Sequence, residues 1–220
     1  MKNESSPKKL LIIVNALSMG GAEHMIYELV KFIDRDKFSP TILCYGKHQE
    51  NPLESKVSQV CDVKYVGITR KIGIAEMRKV FSLIKEISPD IIHAHQGGVS
   101  FAVPWCALHR TPLCITVHSN PHKAFSKNNN CMIKLFKKTL NLMLVAVSKE
   151  NLSLVQEYYK LDDKKSIYIN NGIDIHRFYK NKENDKFTFI NVARQDENKN
   201  QSAILRATFM KVNLSFSLFL

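Results

Sequence analysis

A chain of 220 residues, 45% hydrophobic and 24% charged, carries enough apolar side chain to build a core, which excludes disorder as its dominant state. With only 8 glycines and 7 prolines it is not collagen-like, and no apolar run approaches the roughly 18–20 residues of a membrane span. Lys and Arg number 32 against 20 Asp and Glu, a net charge of +12, so anionic partners are favoured: anionic lipid, phosphorylated small molecules or nucleic acid.

Residues 10–14 read as a buried strand. The stretch before them is charged, too short in apolar residues for a signal peptide, and followed by no small-residue cleavage site. Ala22, Met25, Ile26, Leu29, Val30 and Ile33 then recur at helical spacing. A strand over 41–45, a short helix over 53–60 and a weak strand over 63–66 follow. The stripe of Ile74, Met77, Val80, Phe81, Ile84 and Ile87 predicts a helix. It stops at Ser88-Pro89, because proline disfavours helical geometry in the residue before it. Next come a strand over 90–94, a helix over 99–109, a strand over 113–118 and a polar, basic loop over 120–130. A helix over 131–140, a strand over 143–147, a helix over 149–159 and a strand over 166–169 complete the series. Such β–α alternation, with strands apolar on both faces, predicts an α/β fold: a doubly wound, mainly parallel sheet covered by helices.

This first domain spans 1–170. The polar, turn-rich residues 171–186 read as an interdomain linker. Residues 187–220 predict a strand, a helix and a second strand, an incomplete second Rossmann-like β–α–β unit. Either that domain is cut short or the piece folds back on the first.

Charge and cysteine usage narrow the partners. Between Asp90 and Glu150 there is no acidic residue, while Arg110, Lys123, Lys127, Lys134, Lys137, Lys138 and Lys149 and five of the eight histidines fall there. The stretch is either a solvated basic face or a surface resting on anionic lipid headgroups, where each cation is worth about 1 kcal/mol. It lacks aromatics interleaved with Arg, which argues against nucleic acid. Cys44, Cys61, Cys106, Cys114 and Cys131 are odd in number and form no CxxC. They read as reduced cytoplasmic thiols, with neither a disulfide frame nor a zinc site.

Candidate chemistry gathers after the strands. Gly20 and Gly21 follow the first strand, where adjacent glycines either let backbone approach a phosphate or sugar or simply make a tight turn with positive φ. His93 and His95 end one strand and His118 the next. An H-x-H pair on one face lacks a third ligand nearby, so no metal is expected. His118, Ser119 and Asn120 either hydrogen-bond sugar hydroxyls or form an ordinary loop. Ser148 reads as a helix N-cap, with Asn151 at N3 imitating a capping box. Arg194 and Lys199 flank a predicted helix start, which suits a diphosphate; otherwise they are a solvated loop paired with Asp196 or Glu197.

In order, Gly20-Gly21-Ala22-Glu23, PDIIHAHQ, TVHSN, AVSKEN, INNGIDIHRF and VARQDENKNQ resemble the motif series of family 4 glycosyltransferases of the GT-B fold, over nearly all of 8–208. The resemblance implies a retaining transferase that moves a sugar from a nucleotide sugar, UDP- or GDP-linked, to a glycan or lipid-linked acceptor in bacterial surface polysaccharide synthesis. The nucleotide sugar would be a substrate, with no further cofactor and no metal. Catalytic roles would fall to His118, on the donor sugar, and to Arg194 and Lys199, on the departing diphosphate. Gly20, Gly21, His95, Ser119 and Asn120 would bind substrate. Asn171, Gly172, Ile173, Asp174 and Phe178 would form the interdomain signature. The implied protein is cytoplasmic, with peripheral contact to anionic membrane and no nucleic-acid partner.

The family's acidic E-x7-E motif and base pocket would lie beyond Leu220, so a truncated enzyme, weakly active or inactive alone, is expected. Three other readings stand beside it. A sugar-nucleotide epimerase of similar fold is disfavoured because no carboxylate neighbours the histidines in sequence. A non-catalytic acceptor- or membrane-binding module would be completed by another chain. A dinucleotide oxidoreductase is disfavoured by the lack of GxGxxG.

Overall fold

The computed structural model of the chain describes residues 6–69 and 71–177. The chain divides into two compact units, Met1–Asp174 and Ile175–Leu220. Of the second, only a 3-10 turn at Ile175–Arg177 is described. The predicted unit over 187–220, with Arg194 and Lys199, and the linker residue Phe178 lie outside the described residues.

The first unit alternates strand and helix: β1 (Lys8–Val14), α1 (Gly21–Phe32), β2 (Phe38–Cys44), α2 (Pro52–Ser58), β3 (Asp62–Tyr65), α3 (Ile74–Ile87), β4 (Ile91–His95), α4 (Val99–His109), β5 (Leu113–Val117), α5 (Pro121–Ala124), α6 (Lys127–Phe136), β6 (Leu142–Ala146), α7 (Lys149–Tyr159) and β7 (Ser166–Tyr168). The strands form one sheet in the order β3-β2-β1-β4-β5-β6-β7. Every pairing is parallel. After β3 the chain returns through α3 to the far side of β1. The order therefore reverses between β1 and β4, and the crevice at such a switch point is where ligands bind in open α/β sheets.

Strand alternation sorts the apolar side chains into two layers. Leu11, Ile13, Leu43, Ile92, Ala94, Ile115, Val117 and Leu144 pack with Val80 and Ile84 of α3, Phe101 of α4, Ile133 of α6 and Val155 of α7. Ile12, Val14, Ile42 and Cys44 pack with Ile26 and Val30 of α1, Val57 of α2 and Leu17 on the opposite face. Each fully buried Leu, Ile or Val stabilises by about 1.5–3 kcal/mol relative to exposure. On the α1 side of β4 and β5, however, alternation places His93, His95, Cys114 and Thr116. Strands apolar on both faces describe β1 and β2 well; β4 and β5 keep a polar stripe.

Two local expectations are corrected and one holds. The predicted loop over 120–130 is mostly helix. Asn120 Oδ1 accepts from His122 N at 3.0 Å to start α5, and Ser126 Oγ accepts from Asn129 N at 3.3 Å to start α6. Short capped segments escape a search for long apolar periodicity. The Gly20-Gly21 pair shows no positive φ: Gly20 is the extended N-cap of α1, at φ −101° and ψ 167°. The left-handed residue in this region is instead Gln96, with φ 48°. The α3 stop falls where predicted, at Ser88, which adopts φ 51° ahead of Pro89.

All five cysteines are free thiols. No described helix is long and apolar enough to cross a membrane.

Candidate functional site

The site grows from the carboxyl ends of β1, β4 and β5. After Val14 the chain turns through residues 15–19 to Gly20, whose carbonyl accepts from the backbone N of His24 at 3.0 Å and lies 3.0 Å from His24 Nδ1. Glu23, one turn into α1, is buried and folds back over Gly20. A Cβ at Gly20 would lie 2.3 Å from Glu23 Oε2, whereas at Gly21 it would meet nothing within 4 Å. The two glycines thus differ: Gly20 makes room for the carboxylate, and Gly21 lies in open space.

Glu23 Oε1 accepts from Gln96 Nε2 at 3.2 Å. Gln96 directly follows His95, and its left-handed backbone is the kind of local strain that persists where the surroundings fix it. The Gly97 and Gly98 positions beside it are crowded. A Cβ would fall 2.1 Å from the Tyr45 hydroxyl at Gly97 and 2.4 Å from the Ile13 carbonyl oxygen at Gly98.

The histidines couple β4 to β5. In the parallel register His95 pairs with Thr116 and His93 with Cys114, so the side chains on this face meet diagonally. His93 Nε2 lies 2.8 Å from Thr116 Oγ1, and His95 Nδ1 lies 2.9 Å from His118 Nε2. The His93 and His95 rings stand 4.2 Å apart, and those of His95 and His118 5.2 Å. His95 has no solvent exposure. Its Nε2 is buried with no hydrogen-bond partner, and leaving a buried polar group unmet costs on the order of 1–3 kcal/mol. Burial holds His93 down to about 4, with His118 adding to the effect. Burial likewise takes His118 to about 4. His95 is driven well below the usual histidine range by burial and then by its two histidine neighbours. At neutral pH all three are uncharged rings. Among the described residues, no group of three or more His, Cys, Asp or Glu could hold a metal ion.

The structure therefore joins Gly20, Glu23, Gln96, His95 and His118 in one chain of contacts at one sheet edge. Sequence reasoning proposed Gly20, His95 and His118. Glu23 and Gln96 stood inside the quoted motifs without a role, because only the β1–β4 pairing brings them together. The Glu23 carboxylate reaches Gln96, the residue after His95, and among the described residues no carboxylate acts on the three rings, whose surroundings are one another and buried side chains. Ser119 is exposed, and the side-chain oxygen of Asn120 is engaged in capping α5.

Around this edge, Ser148 caps α7 as predicted, its Oγ accepting from Asn151 N at 3.1 Å. Asn151 imitates no capping box; its Nδ2 donates to Val117 O at 2.7 Å and ties α7 to the residue before His118. The basic stretch is partly internal. Lys137 Nζ donates to Tyr159 O at 2.5 Å and Lys160 O at 3.3 Å at the α7 C-terminus. Lys134 Nζ lies 3.6 Å from the centroid of the Tyr158 ring.

A family model, Glycosyltransferase Family 4, matches residues 19–177, from the residue before Gly20 to the end of the described chain. The chain belongs to glycosyltransferase family 4. Its fold matches solved structures at low identity. The crystal structure of HepE from Anabaena with UDP and glucose aligns with a TM-score of 0.60 and 16% identity, over 77% of this chain and 46% of that one. HepE with UDP-glucose gives 0.60 and 18% identity, over 77% and 45%. A glycosyltransferase from Rickettsia africae ESF-5 gives 0.57 and 15% identity, over 78% and 45%. This family 4 chain spans less than half the length of these solved relatives, and its sheet has the Rossmann-like form of their N-terminal domains. Comparison with curated protein sequences gives no match.

Proposed function

We propose that the protein is a retaining glycosyltransferase that moves a sugar from a UDP- or GDP-linked donor to a glycan or lipid-linked acceptor in bacterial surface polysaccharide synthesis. The nucleotide sugar is its substrate, and no further cofactor takes part. The observation that carries this reading is the coincidence of the family match, 19–177, with the Gly20–Glu23–Gln96–His95–His118 edge at the switch point. The crystals of HepE with UDP and UDP-glucose support a uridine-linked donor.

In this reading the described half supplies the acceptor side. The Glu23 carboxylate against Gly20 suits acceptor hydroxyls better than phosphate, since like charges repel and a carboxylate accepts hydrogen bonds from hydroxyls. His118 contacts the donor sugar, with Ser119 beside it. Arg194 and Lys199 stabilise the negative charge that grows on the leaving diphosphate as the glycosidic bond breaks. The protein works in the cytoplasm, with its exposed lysines against anionic lipid on the inner face of the membrane.

A second reading, an acceptor- or membrane-binding module completed by another chain, is favoured by the exposed cations Lys123, Lys127, Lys138 and Lys149 in a stretch free of acidic residues. Calorimetric titration with UDP-glucose, GDP-mannose, an oligosaccharide acceptor and anionic liposomes separates the two. A transferase half-site binds donor or acceptor at least tenfold more weakly in His118→Ala. A module binds glycan or liposomes equally well in both proteins. Failure to bind any sugar ligand would sink the transferase reading.

A further inference from the structure

Two neutral imidazoles that face each other at 2.9 Å share one proton, and two arrangements are available to them. If His118 Nε2–H donates, His95 Nδ1 must accept, and the His95 proton sits on Nε2. That atom is fully buried and no acceptor reaches it, so an N–H would be stranded there. If His95 Nδ1–H donates, Nε2 keeps only a lone pair. Orphaned buried N–H groups are rarer in proteins than under-satisfied acceptors, so the second arrangement is the stable one. Burial of the rings opposes the charged alternatives, in which either histidine carries two protons.

We propose that His95 is a positioning residue that locks His118 as the tautomer with Nε2 bare and Nδ1 protonated. No group among the described residues accepts from His118 Nδ1. His118 therefore offers that N–H as a fixed donor, fitted to an acceptor oxygen such as a sugar hydroxyl, a ring oxygen or a phosphate oxygen. In water the neutral imidazole can exchange between tautomers; here the partner chooses one before any ligand arrives. Thr116 supports the arrangement from the same face by occupying His93 Nε2 at 2.8 Å, which leaves the His95–His118 pair undisturbed. The tautomer is independent of the transferase reading, whereas the use of the donated proton on a sugar nucleotide rests on it.

Long-range proton–nitrogen correlation NMR on the full 220-residue chain labelled at histidine, at pH 7.5 and without ligand, reads the tautomer directly. The expected spectrum of His118 shows a pyrrole-like Nδ1 and a pyridine-like Nε2, with the same pattern for His95. His95→Asn keeps an amide N–H near the position of Nδ1 and is expected to preserve the His118 pattern. His95→Phe removes the donor and is expected to move His118 to the Nε2–H form or to a mixture. A protonated Nε2 on His118 in the unaltered chain overturns the proposal. So does an unchanged His118 in folded His95→Phe, or a lost pattern in folded His95→Asn. Should His95→Phe not fold, the unaltered chain and His95→Asn decide the matter. A negative result with sugar nucleotides would leave the tautomer standing and count against the transferase reading alone.

Discussion

A methyl group added at Gly98 would sit 2.4 Å from the Ile13 carbonyl oxygen, and backbone cannot step aside there. At Gly20 the obstacle, 2.3 Å away, is the tip of the Glu23 side chain, which can swing; at Gly21 there is none. The three substitutions to alanine should therefore separate in thermal or urea unfolding. Gly98→Ala is expected to lose roughly 1–3 kcal/mol or more, through overpacking. Gly21→Ala, at the first helical position, should gain up to about 1 kcal/mol by restricting the unfolded chain. Gly20→Ala should unfold close to the parent while displacing Glu23 from Gln96, seen as a shift of the Gln96 side-chain amide resonances. Equal stability of the Gly98 and Gly21 variants would contradict this ordering.

At the level of elements, the joints between strand ends and helix starts hold the site. Asn151 ties the first turn of α7 to the last carbonyl of β5, one residue before His118. Asn151→Ala leaves Val117 O unmet and is expected to cost about 1–2 kcal/mol, measured by urea unfolding. It should also broaden the His118 resonances, while Ser148→Ala, which removes only the cap, should cost about 1 kcal/mol and leave them sharp. The same joints show what the sequence can and cannot reveal. The limits of α4 and α7 match expectation, because an apolar run or a capped periodic stripe is local information. Residues 120–130 were missed because their helices are short and set by Asn120 and Ser126 rather than by periodicity. The meeting of His95 with His118, and of Glu23 with Gln96, depends on which parallel strands are neighbours and in what register. A single sequence does not carry that.

The stability of the whole molecule should follow the three buried rings as acidity rises. His93 and His118 are held down to about 4, below the ordinary histidine value of 6.5, and His95 lies lower than ordinary as well. As the pH falls below 6.5 the unfolded chain takes up protons at these positions and the folded chain does not. Stability is therefore whole above 6.5 and declines as the pH falls towards 4. One such histidine accounts for about 3 kcal/mol when the decline is complete. Urea midpoints at pH 7.5, 6 and 5 should fall in that order. His93→Gln and His118→Gln should each flatten the slope; a midpoint indifferent to pH over this interval would refute the account.

The sole tryptophan, Trp105, lies on the far side of the sheet from His93, His95 and His118. It is stacked on His109 with ring centroids 3.8 Å apart and set edge-on to Phe81 at 5.3 Å. The chain thus carries an intrinsic fluorophore wedged between α3 and α4, on a helix that begins directly after Gln96–Gly98. Its emission tracks the seating of those two helices, and α4 links it to the crevice edge at Gly98. Any colour change on adding a sugar nucleotide would report a shift of α4 against α3, and a silent lamp would mean that the two helices keep their seating as the crevice fills.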